Sequence, residues 1–171
     1  MKIGFIGTGN MGKAIIEGFI SSKNVKSEDI FVFDIDSKKL EILADEFKVN
    51  TTTDENEAVK SSDLIILAVK PNIYDIILEK IKNSIDNNKI ILTIAAGFSI
   101  ERAEKIIGSN KKIIRTMPNT PAQVLEGMTG IVFNKNITNE EKDTVIKLLS
   151  SFGGVEEIDE KLMHVFSAIS G

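Results

Sequence analysis

Short apolar runs alternate along this chain with stretches in which apolar residues return every three or four positions. Lys2 to Ile6 is strand-sized, and Met11, Ala14, Ile15, Gly18 and Phe19 then recur at helical spacing. Ile30 to Phe33 predicts a second strand. Ser37 is placed to cap a helix carrying Leu40, Leu43, Ala44 and Phe47. A short strand is expected at Val49 to Thr52, and Asp54 with Glu57 reads as a capping box for a brief helix. Leu64 to Val69 is the most apolar run and is expected near the sheet centre. Pro71 stops that strand and suits a helix start, followed by Ile73, Ile76, Ile77 and Ile81 at helical spacing.

The second half repeats the alternation. Ile90 to Ala95 predicts a strand, Ser99 to Ile106 a helix closed by Gly108, and Lys112 to Thr116 another strand. Gly130 to Phe133 is strand-like. Thr138 and Glu141 make a further capping box, for a helix burying Val145, Leu148, Leu149 and Phe152. Val155 to Ile158 is expected as an edge strand. Leu162, Val165, Phe166 and Ile169 then share one helical face. This order predicts an α/β fold: a Rossmann-type, doubly wound, mostly parallel sheet with helices on both faces, plus the start of a C-terminal helix. The expected division is a dinucleotide-binding domain over 1–158 and a helix start over 159–171.

The junction of the first strand and helix carries the chemistry. Gly7-Thr8-Gly9-Asn10-Met11-Gly12 has the GxGxxG spacing. Gly7 allows a tight turn, Gly9 leaves room for a pyrophosphate, and Gly12 lets the helix pack close to the strand. The helix N-terminus adds unpaired N–H groups and a positive dipole end. Asp34 ends the second strand, about 20 residues on, where a carboxylate can accept from ribose hydroxyls. Strand, turn, helix and acid together predict a bound dinucleotide. Asp34 favours a free 2′-hydroxyl and so NADH or dual use, although Ser37, Lys38 and Lys39 could receive the 2′-phosphate of NADPH.

Composition narrows the classes. A chain of 171 residues fits one full-sized domain. A net charge of −4 argues against a nucleic-acid partner. Without cysteine there is no disulfide, thiolate catalysis or cysteine-held zinc. No apolar run approaches membrane-spanning length and the first strand starts at once, so a cytoplasmic location without membrane or signal segment is expected. His164, the lone histidine, sits between apolar positions on the tail and reads as a helix residue rather than a proton donor. No metal-ligand spacing and no catalytic acid–base pair stands out, so the chemistry is expected to belong to the cofactor. Three further strand ends carry small residues and prolines suited to close ligand approach: Ala68-Val69-Lys70-Pro71, Ala95-Ala96-Gly97 and Met117-Pro118-Asn119-Thr120-Pro121.

These segments, with IGFIGTGNMGKAI at the start, KIIRTMPNTPAQVLEGMTG and the closing SAISG, closely resemble pyrroline-5-carboxylate reductase over residues 1–171. The resemblance implies reduction of the C=N bond of 1-pyrroline-5-carboxylate to L-proline by hydride from NADPH or NADH. It puts Gly7, Thr8, Gly9, Asn10, Met11 and Gly12 at the pyrophosphate, and Ala68, Val69, Lys70 and Pro71 along the cofactor beside Ala95, Ala96 and Gly97. Met117, Pro118, Asn119 and Thr120 would face nicotinamide and substrate, a cyclic imine carboxylate. The family pattern continues into a helical domain that dimerises and holds the substrate. Residues 1–171 alone are therefore expected to supply the cofactor side and to turn over poorly, with a homo-oligomer formed by the complete enzyme. Two other readings remain: a β-hydroxyacid dehydrogenase-like oxidoreductase, which lacks the MPNTP segment, and a non-catalytic dinucleotide-binding module.

Overall fold

The computed structural model describes residues 1–118 and 127–163. Eight strands form one sheet: β1 (Ile3–Ile6), β2 (Ile30–Phe33), β3 (Asn50–Thr52), β4 (Leu64–Leu67), β5 (Ile90–Thr93), β6 (Lys112–Pro118), β7 (Gly127–Phe133) and β8 (Gly153–Glu157). Their order is β3-β2-β1-β4-β5-β6-β7-β8, and β6–β7 is the one antiparallel pairing among them. Among the described residues six α-helices cover the faces: α1 (Asn10–Ser21), α2 (Ser37–Phe47), α3 (Glu55–Lys60), α4 (Tyr74–Ile81), α5 (Ile100–Ile107) and α6 (Asn139–Leu149).

The core is split by the sheet. One cluster packs Ile15, Ile16 and Phe19 of α1, Leu40 and Leu43 of α2, and Val145, Leu148 and Leu149 of α6 against β-strand residues such as Ile3, Phe5 and Ile66. The other packs Ala58 and Val59, Tyr74, Ile77 and Ile81, and Ile100, Ala103 and Ile107 of α3, α4 and α5 against Ile6, Ile65 and Ile91. Alternate strand residues serve opposite faces, so β1 and β4, fully buried throughout, need to be apolar at every position. That is the doubly wound fold expected from the alternation, with β4 near the centre.

Local differences have local causes. The N-cap of α2 is Asp36, whose carboxylate accepts from the Lys38 amide, and Ser37 is the first helical residue. An ionised carboxylate one position earlier takes the capping role from the hydroxyl. Asp54 caps α3 through Asn56, but Glu57 accepts from the Thr52 hydroxyl instead of closing a box. Thr138 and Glu141 do form the reciprocal box. Pro71 opens a 3-10 turn over Pro71–Ile73, and α4 starts only at Tyr74. A similar 3-10 turn spans Glu160–Leu162. Val165, Phe166 and Ile169, like His164, lie outside the described residues.

Candidate dinucleotide site

Sequence order reverses at β1, which has β2 on one side and β4 on the other. Beyond the carboxyl ends of such strands an open sheet leaves a crevice. The end of β1 is pinned from both neighbours: the Gly7 amide donates to the Phe33 carbonyl at 2.8 Å, and the Ala68 amide to the Ile6 carbonyl at 2.8 Å. Gly7 then turns the chain at φ +91°, and a Cβ there would lie 2.7 Å from Val69 Cγ1. Gly9, at φ −62°, has only the Ala68 carbonyl oxygen near a would-be Cβ, at 3.8 Å. The space above Gly9 is open. At Gly12 a Cβ would meet Ala68 Cβ and the Gly7 carbonyl oxygen at 3.0 Å each, so that glycine keeps α1 close to the sheet.

Gly9 is also the N-cap of α1, where no side chain caps the helix and no acidic residue lies in the first turn. Backbone amides at the start of a 12-residue helix thus face the open space with the positive end of the dipole behind them. An anion fits there.

Asp34 supports the turn. Its Oδ2 accepts from the Thr8 amide at 2.7 Å and the Thr8 hydroxyl at 2.6 Å, and Oδ1 accepts from the Asp36 amide at 3.0 Å. Burial at 8% exposure would raise its pKa. The Thr8 hydroxyl, the two amides and nearby Lys39 outweigh burial and hold the carboxyl below its ordinary value. The sequence pattern assigned this carboxylate to ribose; in the structure both its oxygens are engaged by the chain itself.

A cleft of about 540 Å³ runs from the glycine turn along α4. Of the expected site residues it is lined by Gly7, Thr8, Gly9, Asp34, Ala68, Val69 and Lys70. It also uses Phe33, Ile35, Lys39, Ile73, Ile76, Ile77 and Lys80. Ile76, one of the helically spaced isoleucines after Pro71, is 57% exposed and faces this cleft. Ile35 is 95% exposed at the same mouth. Apolar walls with lysines at the rim suit a flat ring bearing phosphates. An isoleucine directly after the strand-end acid, Ile35, was the missed sequence signal.

The other expected residues sit around this cleft. Asn10 lines a separate depression of about 270 Å³ with Thr8, Lys13, Ala14 and Glu17. Met11 packs on the core and Gly12 is buried. Pro71 begins the 3-10 turn. Ala95 is buried and Ala96 exposed, and Gly97 takes φ +75°. Met117 is half-buried and Pro118 buried at the end of β6. Asn119, Thr120 and Pro121 lie outside the described residues. A larger depression, about 710 Å³, is bordered by Glu41, Asp45 and Glu57 near edge strand β3. Its carboxylates would repel a dinucleotide.

Arg115, 8% exposed on β6, pairs with Glu160 at 2.9 Å, and the same Glu160 oxygen accepts from the Ile100 amide at 2.9 Å. This contact ties the segment after β8 to β6 and α5. No group of acidic or histidine side chains able to hold a metal is present among the described residues, and none of their helices is long and apolar enough to cross a membrane.

Residues 2–97 match the family model described as "NADP oxidoreductase coenzyme F420-dependent". The chain belongs to this family. Its membership spans the glycine turn, Asp34 and the 68–70 and 95–97 strand ends. Along its whole length the chain is also similar to pyrroline-5-carboxylate reductases. That of Escherichia coli K12 is 39% identical over 170 residues, 99% of this chain and 63% of that protein. That of Aquifex aeolicus is 40% identical over 171 residues, 100% of this chain and 62% of that one. The Plasmodium falciparum pyrroline carboxylate reductase, solved with NADP bound, superposes with a TM-score of 0.91 at 34% identity, covering 100% of this chain and 62% of that one. The Coxiella burnetii enzyme gives 0.95 at 29%, covering 99% and 63%. The chain thus spans about 63% of the length of such curated relatives. Prephenate dehydrogenase from A. aeolicus shares the fold, with a TM-score of 0.78 at 17% identity.

Proposed function

We propose that this chain binds NADPH or NADH in the cleft at Gly7–Gly9 and forms the cofactor side of a pyrroline-5-carboxylate reductase. The observation that carries the reading is the open space above Gly9 at an uncapped helix start, in a chain 39% identical along 99% of its length to such a reductase. When bound, the reduced nicotinamide would supply a hydride to the ring C=N carbon of 1-pyrroline-5-carboxylate while the ring nitrogen takes up a proton, giving L-proline and the oxidised dinucleotide.

The chain's own residues bind and orient. Amides at the α1 start receive the pyrophosphate, the Thr8–Asp34 hydrogen bonds hold the turn, and Ile35 and Ile76 flank the adenine. Ala68, Val69 and Lys70 border the cofactor, while Met117 and Pro118 lie at the substrate end. Residues 1–158 form the cofactor domain, and those from 159 lead into the helical part of the complete enzyme. That part closes the substrate site and makes the homo-oligomer, in the cytoplasm.

The clamp on the substrate carboxylate is assigned to the helical part of the complete enzyme. Orientation supplies much of the rate of such a transfer. The 171-residue chain is therefore expected to bind reduced dinucleotide but to oxidise it only slowly with 1-pyrroline-5-carboxylate. Titration and turnover of the same preparation test this. Absence of dinucleotide binding overturns the reading, and rapid turnover overturns the division of labour.

A further inference from the structure

Among the described residues Tyr74 is the largest fully buried side chain, and its hydroxyl stands between two strand ends. The β4–β5 ladder runs in parallel register from Leu64 opposite Ile90 to Leu67 opposite Thr93. Its first rung is the Ile90 amide donating to the Asp63 carbonyl at 2.9 Å. Adding four residues to each side, the rung after β5 ends would be the Ile94 amide to the Leu67 carbonyl. That rung is relayed. The Ile94 amide donates to Tyr74 Oη at 3.2 Å, and the Tyr74 hydroxyl donates to the Leu67 carbonyl.

One hydroxyl therefore satisfies both backbone groups and holds the two strands apart by its own width. The segments that follow are Ala68-Val69-Lys70 and Ala95-Ala96-Gly97. The Tyr74 ring also packs on Phe98, centroids 4.8 Å apart, just after Gly97. Burial pushes the phenol well above its ordinary pKa, so it stays a neutral donor throughout the working range.

We propose that Tyr74 is a positioning residue: its hydroxyl wedge sets the spacing of the β4 and β5 ends, and so the seat of the nicotinamide half of the dinucleotide. The inference rests on the proposed function. With pyrophosphate at Gly9 and the adenosine end towards β2 and Ile35, the other half must run the opposite way, across the ends of β4 and β5. Without the hydroxyl, Ile94 and Leu67 either close on each other or stay unpaired in the interior. Closure shifts the β5 end and Ala95 against β4, and an unpaired pair leaves that spacing unset, while β2 and Ile35, on the far side of β1, take no part in this contact.

Tyr74→Phe removes one oxygen and keeps the ring. Affinities of the 171-residue protein and the variant are compared for NADPH and NADH, and for ADP-ribose and its 2′-phosphate, which carry everything but nicotinamide. All titrations run well below each protein's Tm. Ile81→Val, a fully buried truncation in the same helix, controls for general loosening. The expected result is a Kd for reduced dinucleotide raised about fivefold or more, with the ADP-ribose probes within about twofold. Equal weakening of both probe classes, no change, or the same split in Ile81→Val overturns the inference alone. A wild-type protein that binds ADP-ribose and dinucleotide equally weakly, or not at all, overturns the proposed function with it.

Discussion

Gly9→Val separates the ligand's requirement from the fold's. The backbone at Gly9 has φ −62° and ψ 179°, which any residue adopts, and beyond its chain neighbours nothing lies closer than 3.8 Å to a new Cβ. Replacing glycine lowers the entropy of the unfolded chain, worth about 0.4–1 kcal/mol in favour of folding. An apolar residue is a poorer N-cap than glycine by a similar amount, up to roughly 1 kcal/mol. The two nearly cancel, so Tm is expected within about 4 °C of wild type. The bound pyrophosphate, in contrast, needs the volume the new side chain fills. Each hydrogen bond from a backbone amide to a charged group contributes about 1.5–3 kcal/mol, so losing one raises Kd roughly tenfold or more and losing two about a hundredfold or more. Gly7→Ala is the counterpart. At φ +91°, with Val69 Cγ1 at 2.7 Å, it is expected to cost about 1–3 kcal/mol of stability. Scanning fluorimetry and fluorescence titration with NADPH and NADH read both effects. Undiminished dinucleotide affinity in a folded Gly9→Val refutes the phosphate assignment.

Asp34→Asn leaves one acceptor oxygen for the two Thr8 donors and points an amide NH2 at the Asp36 N–H, so it is expected to cost about 1–3 kcal/mol. Because the folded-state pKa is lowered, the carboxylate's contribution is present above the ordinary value near 4 and fades as pH falls below it. Thermal melts from pH 7 to 3 should show the wild-type advantage shrinking only at the acid end, and a constant gap would contradict the assigned hydrogen bonds. Lys39→Glu, at the cleft rim beside Asp34, is expected to weaken NADPH more than NADH, since a 2′-phosphate carries the extra charge; equal losses in paired titrations would place that phosphate elsewhere.

The sheet was legible because β1 and β4 bury every residue and must be continuously apolar, and because the glycine spacing is dictated by close approaches at Gly7 and Gly12. Direction was not legible at β6–β7, since alternation along a strand carries no information about the partner's polarity. Ile76 shares the helical spacing of Ile73, Ile77 and Ile81, and only the position of α4 over the strand ends shows that it faces the cleft. The hydrogen bonds of Asp34 to Thr8 were not legible, because that partner lies 26 residues away. Tyr74 carries no local signal at all: its two hydrogen-bond partners lie at the ends of different strands, brought together only by the register of β4 and β5.

Backbone hydrogen exchange of the 171-residue chain, with and without saturating NADPH, tests the central claim most directly. Protection should rise over Gly7–Gly12, around Asp34–Lys39 and across Ala68–Ile77, the segments that build the cleft. Protection centred on Thr51–Glu57, or an exchange map unchanged by NADPH and NADH alike, would contradict it.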